Sequence, residues 1–248
     1  MGHDMGFWPK GCFEARHVLV TGGTSGIGLA IAAAFLREGA IVTATGISEA
    51  EAEAATREAP GLKTNVLDVR DGAAVTGLVS SLPTLHHVVN CAGIIRRGEE
   101  HDPEVFADVV DINLTGTMRI CAAARAKLKE SGGTIVNTAS VLSFQGGGLV
   151  PGYAASKGGI RQLTKSLAIS YAADGIRVNA VAPGWIETPL TAALRADQAR
   201  ISAILSRTPL GRWGKPEDIA GGVLFLCSPI ASFVTGTVLA IDGGYLSA

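Results

Sequence analysis

From His17 to the C-terminus, short apolar runs alternate with longer stretches of helical periodicity. The apolar runs show little alternation between polar and apolar positions, which indicates strands that are buried on both faces. The predicted strands are His17–Thr21, Ile41–Thr45, Leu62–Val66, His86–Asn90, Thr134–Thr138, Arg177–Val181 and Val238–Ile241. The helical patterns between them include Gly26–Glu38, Pro103–Lys129, Gly152–Ala173 and Pro216–Cys227.

Strands that alternate with helices predict right-handed crossovers and a parallel sheet that helices cover on both faces. We therefore expect an α/β fold: one doubly wound parallel sheet of about seven strands in a single domain. In such a fold, ligands bind at the carboxyl ends of the strands.

Composition narrows the classes of function. Of the 248 residues, 47% are hydrophobic and 17% are charged, so the chain can bury a large core. A net charge of −1 argues against nucleic acid or an anionic membrane as the main partner. No apolar run reaches the roughly 18 residues of a membrane span, and the first ten residues do not resemble a signal peptide.

Cysteine and histidine usage predicts no metal site. The four cysteines are far apart and show no CxxC spacing, which is typical of reduced, buried thiols in a cytoplasmic protein. His86 and His87 are adjacent, so on a strand they would face opposite sides and could not share a metal ion.

A glycine-rich turn, TGGTSGIG at residues 21–28, joins the first strand to the first helix. Glycines there let the backbone turn tightly and bring a phosphate to the helix N-terminus, where free N–H groups favour anions. Because both flanking elements are in place, we interpret the turn as a dinucleotide site and not as a plain turn. The predicted cofactor-binding residues are Gly22, Thr24, Ser25, Gly26, Ile27 and Gly28.

Two further segments belong to this cofactor end. Asp68, followed by Val69, comes after the third strand and could accept from an adenine amino group; capping the helix near residue 71 is the alternative. Asn90, Ala92 and Gly93 end the fourth strand, where small residues allow close approach to a ribose.

The end of the second strand predicts the choice of cofactor. An acid there selects NAD, and an arginine accommodates the NADP phosphate. Residues 44–48, ATGIS, contain neither, and Ser25 stands where the turn could carry a cation. Without a visible positive charge, we expect NAD, with NADP possible.

Tyr153 and Lys157 lie one helical turn apart in YAASK, and Ser140 precedes the tyrosine by thirteen residues. The free pKa of tyrosine is about 10, and an ammonium on the same helix face lowers it by favouring the phenolate. A serine hydroxyl nearby can hold a substrate oxygen while the tyrosine moves the proton. The trio predicts the interconversion of an alcohol and a carbonyl.

With these motifs, the chain resembles the classical short-chain dehydrogenase/reductase family from about Arg16 onward. The resemblance rests on TGGTSGIG, NCAG, Asn113, Ser140, YAASK, PGWIET at 183–188 and IDGG at 241–244. It implies a Rossmann-type fold, an NAD(P)-dependent enzyme acting on CH–OH groups, and a domain of residues 16–248 after an N-terminal extension of residues 1–15. The one departure is Cys91, where the family more often has asparagine.

The resemblance also implies roles. Tyr153 would be the acid/base, Ser140 would position the carbonyl, and Lys157 would lower the tyrosine pKa and hold the nicotinamide ribose. Asn113 would anchor a water in the proton relay. The segment with Pro183 and Gly184 would contribute Ile186 and Thr188 to the carboxamide.

A narrower likeness, in residues 92–97, 139–148, 194–198 and 211–214, is to dehydrogenases of 2-keto-3-deoxy sugar acids. Such an acid needs a cation for its carboxylate and polar partners for its hydroxyls. Arg96, Arg97 and Gln145, together with Ser140 and Tyr153, are the predicted substrate residues; a solvated patch or subunit contact is the alternative for the arginines. We expect a substrate loop, residues 186–212, to close over the bound acid.

The favoured function is therefore an NAD(P)-dependent oxidoreductase of a small polyhydroxy acid. The alternatives are a sugar (aldose or polyol) dehydrogenase, a 3-oxoacyl or xenobiotic ketone reductase, and a non-catalytic cofactor-binding regulator, which usually loses the tyrosine or lysine. Ala-rich faces on the helices 103–129 and 152–173, together with the resemblance, predict a homotetramer of D2 symmetry.

Overall fold

The structure is a computed structural model and describes residue 9 and residues 11–248. The strands are β1 His17–Thr21, β2 Ile41–Gly46, β3 Lys63–Val66, β4 His87–Asn90, β5 Thr134–Thr138, β6 Arg177–Pro183 and β7 Val238–Ile241. The α-helices are α1 Gly26–Arg37, α2 Glu49–Glu58, α3 Gly72–Ser81, α4 Pro103–Val110, α5 Gly116–Ser131, α6 Pro151–Tyr171, α7 Ala192–Arg195, α8 Gln198–Leu205 and α9 Pro216–Cys227. A π-helical segment, Asp111–Thr115, joins α4 to α5.

All seven strands form one parallel sheet in the order β3-β2-β1-β4-β5-β6-β7. The strand order reverses between β1 and β4, so a crevice opens at their carboxyl ends, after Thr21 and Asn90. The predicted doubly wound α/β fold is confirmed.

Two apolar layers sandwich the sheet. Alternate residues of β1 enter opposite layers: Val18 and Val20 pack with α1 and α9 on one face, and Leu19 packs with α3, α5 and α6 on the other. This double burial explains why the strands read as continuous apolar runs.

The predicted helix 103–129 is interrupted. The π-helical segment widens one turn, and Thr117 donates from its hydroxyl to the carbonyl of Asn113 at 2.9 Å. Gly116 is needed next to it, because a Cβ there would lie 2.6 Å from Cγ2 of Val69. Helical periodicity cannot reveal a single widened turn, and such turns often accompany functional residues; here the segment contains Asn113.

Most of the predicted N-terminal extension, residues 1–8 and 10, lies outside the described residues. Phe13 is buried, with its ring 5.1 Å from Phe35 and 5.6 Å from His87. Burial lowers the pKa of His87 to about 3, so this histidine is neutral. Among the described helices, none is both long and apolar enough to cross a bilayer.

Candidate active site

A cleft of about 550 Å³ runs along the carboxyl ends of the strands. One end is lined by the glycine turn and by residues after β2 and β3. The other end is lined by Ser140, Tyr153 and Lys157. The cleft lining also includes most of the predicted cofactor residues: Gly22, Thr24, Ser25, Gly26, Ile27, Gly28, Asp68, Val69, Ala92, Gly93, Pro183, Gly184, Ile186 and Thr188.

The glycine turn lies against the loop after β4. Gly22 has φ +62°, and a Cβ there would lie 2.7 Å from the backbone of Ala92. A Cβ on Gly28 would collide with the carbonyl oxygen of Gly22. The turn therefore needs glycine at Gly22 for the positive φ and for the close approach to Ala92. It needs glycine at Gly28 because a side chain there would collide with the backbone of Gly22.

The N-terminus of α1 differs from those of neighbouring helices. Ser25, its N-cap residue, makes no side-chain cap hydrogen bond, whereas α3 and α4 are capped by the carboxylates of Asp71 and Asp102. The first N–H groups of α1 thus lie at the cleft without a side-chain acceptor, a position that suits a phosphate. Together with the glycine cradle, this arrangement fits a dinucleotide.

Asp68 lines the cofactor end of the cleft, and its carboxylate already accepts hydrogen bonds from Arg70. Arg70 donates to both of its oxygens, at 2.6 to 3.0 Å, and also bonds Asp108 at 2.8 Å. The hydrogen bonds from Arg70 lower the pKa of Asp68. An adenine amino group would share this carboxylate with Arg70, which the sequence analysis did not single out.

Glu51, the third residue of α2, supplies an acid at the cofactor end. Its Oε2 accepts from the backbone N–H of Ile47 at 3.1 Å and from the hydroxyl of Thr24 at 3.3 Å, and its side chain lines the cleft. Glu51 lies beyond residues 44–48, so the end of the second strand alone did not predict this acid. A signal was present, because Ser48 and Glu51 form the S-x-x-E pattern of a helix start, and the Ser48 hydroxyl accepts from the Glu51 N–H at 3.3 Å.

The inner end brings the predicted trio together. Ser140 and Tyr153 both line this end, and the Ser140 side chain favours the ionised phenol. Nζ of Lys157 lies 5.6 Å from the tyrosine ring centroid and donates to the carbonyl of Thr138 at 2.6 Å. Ser143 fixes this corner by donating to the carbonyl of Lys157 at 2.6 Å and accepting from the N–H of Ser140 at 3.1 Å.

The pKa of Tyr153 is raised here, not lowered as expected. Burial is the largest cause, and the Glu100 carboxylate adds to it, while the Ser140 side chain and the Arg97 charge oppose it. Lys157 does not offset the effect of burial on the tyrosine. Burial lowers the pKa of Lys157 to about 8, so its amine is neutral at the higher pH where the phenol ionises. The spacing in the sequence correctly places the two side chains near each other but cannot reveal how deeply the fold buries them.

One predicted cofactor residue, Asn90, and one predicted catalytic residue, Asn113, do not line the cleft. The side chain of Asn90 lies in the sheet interior, where it donates to Asn137 at 2.9 Å, so its amide is not offered to a cofactor. Asn113 is fully buried, and its amide bonds both backbone groups of Ile94, at 2.8 and 3.0 Å. Its side chain thus anchors the loop after β4 and does not point into open space.

The predicted substrate residues Arg96, Arg97 and Gln145 do not all line the cleft. Arg96 lines the cleft; Arg97 is exposed, and its charge acts on Tyr153. Gln145 does not line the cleft, but its Oε1 accepts from Nη2 of Arg207 at 3.5 Å. Arg207, which the sequence analysis missed, stacks over the ring of Tyr245 at 4.5 Å.

Comparisons with known proteins agree over nearly the whole chain. Residues 22–246 match the family model described as enoyl-(acyl carrier protein) reductase. The chain is 39% identical over 250 residues to a 2-dehydro-3-deoxy-D-gluconate 5-dehydrogenase of Pseudoalteromonas atlantica, covering 96% of this chain and 98% of that protein. It is 41% identical over 245 residues to a 3-oxoacyl-(acyl-carrier-protein) reductase of Thermotoga maritima, covering 93% and 98%.

A solved structure extends the likeness to three dimensions. The gluconate 5-dehydrogenase from Burkholderia cenocepacia in complex with NADP and tartrate is similar with a TM-score of 0.89 and 32% identity, over 96% of this chain and 98% of that one. The relatives thus share one fold while their names cover different substrates.

Proposed function

The chain belongs to the short-chain dehydrogenase/reductase family, and from that premise we propose that it oxidises or reduces a 2-keto-3-deoxy sugar acid. The coarser function, NAD(P)-dependent oxidoreduction at a CH–OH group, is that of its family and relatives. The observation that carries the proposal is the meeting of Ser140, Tyr153 and Lys157 at one end of a cleft whose other end is the glycine turn.

We assign the proton to Tyr153. When an alcohol is oxidised, the phenolate takes the hydroxyl proton, and when a ketone is reduced, the phenol returns it. Ser140 donates to the substrate oxygen and keeps it beside the phenol. Lys157 stabilises the phenolate when its ammonium is charged. A nicotinamide bound in the cleft would supply or accept the hydride.

We propose NAD as the preferred cofactor, in line with the residues after β2. The Glu51 carboxylate, held by Ile47 and Thr24, would accept from ribose hydroxyls and repel a 2′-phosphate. Arg70, a cation near this end, is already engaged by two carboxylates. The relative solved with NADP makes this preference a proposal to test and not a property of the family.

A carboxylate-bearing substrate suits the cations at the mouth. Arg96 lines the cleft, the charge of Arg97 acts on Tyr153, and Arg207 donates to the Gln145 side chain at 3.5 Å. A guanidinium binds a carboxylate through two parallel hydrogen bonds, which favours an acid over a neutral sugar. The relative crystallised with tartrate, a hydroxylated diacid, supports the same class of ligand.

We propose that residues 186–212 form the substrate loop and close over the bound acid. The buried side chains of Leu194, Ile204 and Trp213 form a small cluster separate from the two main core layers. Leu190 lines the cleft and is exposed, and Leu210 is exposed as well. A segment with its own small core can shift relative to the sheet and exclude water.

We propose a cytoplasmic homotetramer. Two thiols, Cys121 and Cys227, are buried and free, which suits a reducing compartment. Ile169 on α6 and Phe233 are largely exposed, and a two-fold contact along the helices would cover such surface. Sedimentation at micromolar concentration tests the assembly, and a monomer there contradicts it.

The test of substrate class is a panel of alcohols and ketones assayed with NAD and NADP. The panel compares a 2-keto-3-deoxy sugar acid, its uncharged sugar analogue and a 3-oxoacyl thioester, with Tyr153→Phe as the blank. We expect the acid to give the highest kcat/KM. A preference for the thioester would favour the second candidate, a 3-oxoacyl reductase, which the 41% identity to such a protein keeps open.

A further inference from the structure

The side chain of Glu100, in the loop between β4 and α4, is a buried carboxylate at the catalytic corner. It is 1% exposed. Oε1 accepts from the backbone N–H of Arg96 at 2.8 Å, and Oε2 accepts from the backbone N–H of Tyr153 at 2.7 Å. Within the described residues, no lysine or arginine forms a salt bridge with it. Burying a carboxylate costs free energy even when its oxygens accept hydrogen bonds, so we expect the buried carboxylate of Glu100 to have a role.

The N-terminus of α6 gives one part of the reason. Its N-cap residue, Val150, has no side chain that can accept a hydrogen bond. Tyr153, the third residue of the helix, therefore needs an acceptor from elsewhere, and Glu100 provides it from 53 residues away. A carboxylate at the start of a 21-residue helix also interacts favourably with the helix dipole.

The helices α4 and α8 show how unusual this cap is. Each is capped by the aspartate directly before it, Asp102 and Asp197. A local aspartate satisfies a helix without constraining any distant segment. A remote glutamate satisfies the helix and at the same time fixes the loop that carries it.

The loop that Glu100 fixes is the one with both predicted substrate arginines, and we call residues 96–101 the arginine loop. Two further contacts dock it beside α6: the N–H of Gly98 donates to Leu149 O at 2.8 Å, and Nε2 of His101 lies 2.9 Å from Gly148 O. Gly152 leaves room, since a Cβ there would lie 3.3 Å from Oε2 of Glu100. The carboxylate is thus the shared anchor of the arginine loop and the first turn of α6.

We infer that Glu100 is a positioning residue whose carboxylate holds Tyr153 and the arginine loop in one fixed arrangement. The inference rests on the proposed function, in which Tyr153 moves the proton and the arginines bind the acid. Glu100 does not touch the substrate in this account. It sets the distance between the group that binds the carboxylate and the group that does the chemistry.

The charge of Glu100 gives a readout that simple structural support would not. Its carboxylate raises the pKa of Tyr153, after burial, while Arg97 lowers it. The other titratable groups near this corner are Lys157, with Nζ 5.6 Å from the centroid of the phenol ring, Arg96 and His101 on the arginine loop, and Arg200 of α8, whose charge acts on Arg97. Removing the negative charge in Glu100→Gln should therefore lower the pKa of Tyr153, and the basic limb of alcohol oxidation should begin at lower pH.

The test compares Glu100→Gln with Glu99→Gln, a change of the adjacent exposed carboxylate. We expect Glu100→Gln to lower kcat/KM for the acid about tenfold or more, because a buried charge-assisted hydrogen bond is lost. In Glu100→Gln, the rise of the oxidation rate with pH should begin at lower pH than in the wild type. Glu99→Gln should match the wild type in kcat/KM and in the pH at which this rise begins. A Glu100→Gln enzyme with wild-type kcat/KM and an unmoved limb would overturn the inference.

A second measurement separates this inference from the proposed function. The absorbance of phenolate, titrated in wild type and in Tyr153→Phe, gives the pKa of Tyr153 by difference and needs no turnover. If the wild type oxidises no sugar acid, the proposed substrate fails, but a lowered Tyr153 pKa in Glu100→Gln still supports the link. If Glu100→Gln does not fold, Glu100→Asp keeps the charge with a shorter reach; it should lose kcat, and full kcat would overturn the inference.

Discussion

The two ends of the cleft are built in different ways. The cofactor end depends on the backbone: Gly22 must adopt φ +62° and lie against Ala92, and the first N–H groups of α1 must stay uncapped. The proposed substrate end depends on side chains that come from separate loops, such as Arg96 after β4 and Ser140 after β5. A backbone requirement restricts which residue can occupy a position, whereas a side chain on a loop can be replaced by another that reaches the same space. Changes at the cofactor end should therefore weaken cofactor binding, and changes at the substrate end should alter the rate of the chemical step or the preference between substrates.

Tyr153→Phe should show the largest effect and should leave the cofactor end untouched. The ring preserves packing while the proton carrier is lost, and removing a general acid–base typically lowers kcat by about 10²–10⁴-fold. Steady-state kinetics at several pH values measures this. Retention of more than a tenth of the wild-type kcat would show that another group moves the proton.

Gly22→Ala should damage the cofactor end alone. A Cβ at φ +62° would lie 2.7 Å from the backbone of Ala92, so the turn must move. Strain of this kind costs about 1–3 kcal/mol, and we expect NAD to bind at least tenfold more weakly. Gly77→Ala is the matched control, because nothing lies within 4 Å of that position on α3 and alanine favours a helix.

Neutralising the arginines should change the preference between substrates. With Arg96→Gln and Arg97→Gln in turn, kcat/KM for the acid should fall about ten- to a hundredfold at the position that binds the carboxylate. The value for the uncharged sugar analogue should change little. If both variants keep the wild-type ratio between acid and sugar, these positions do not bind the carboxylate, and Arg207 becomes the next candidate.

Glu51→Gln should shift the cofactor preference towards NADP by about tenfold, since roughly 1.4 kcal/mol of charge repulsion would be removed. The ratio of kcat/KM values with NAD and NADP measures the shift. Glu53→Gln is the control, as Glu53 lies on the same helix, is exposed and pairs with Arg57 at 3.7 Å. An unchanged ratio in Glu51→Gln would remove this residue from cofactor selection.

The smallest expected effect is on stability and depends on pH. The pKa of Lys157 is about 8 in the folded chain, below the roughly 10.4 of an unfolded lysine, because the ammonium is buried. Between these values the unfolded state binds more protons, so stability rises with pH across that window. Lys157→Met should therefore raise Tm at pH 7 by about 2–4 °C while lowering activity, and its advantage should shrink towards pH 10. A lower Tm at pH 7, measured by thermal unfolding, contradicts this account of the burial cost.

Some features of the fold and the site follow from the sequence alone, and others depend on tertiary contacts that the sequence does not show. The sheet, the glycine turn and the meeting of Ser140, Tyr153 and Lys157 follow from periodicity and spacing. The S-x-x-E spacing marks Glu51 only as part of a helix start. Its position at the cleft and the role of Glu100 depend on contacts with backbone N–H groups that only the folded chain defines. The π-helical turn at Asn113 and the burial that raises the Tyr153 pKa likewise depend on tertiary packing.

Calorimetric titration of NAD into Tyr153→Phe and Gly22→Ala, side by side at one pH, tests the separation of the two ends most directly. The account predicts a Kd within about twofold of the wild type for Tyr153→Phe and a rise of at least tenfold for Gly22→Ala, with Gly77→Ala unchanged. Wild-type affinity in Gly22→Ala, or a similar loss in both variants, would contradict it.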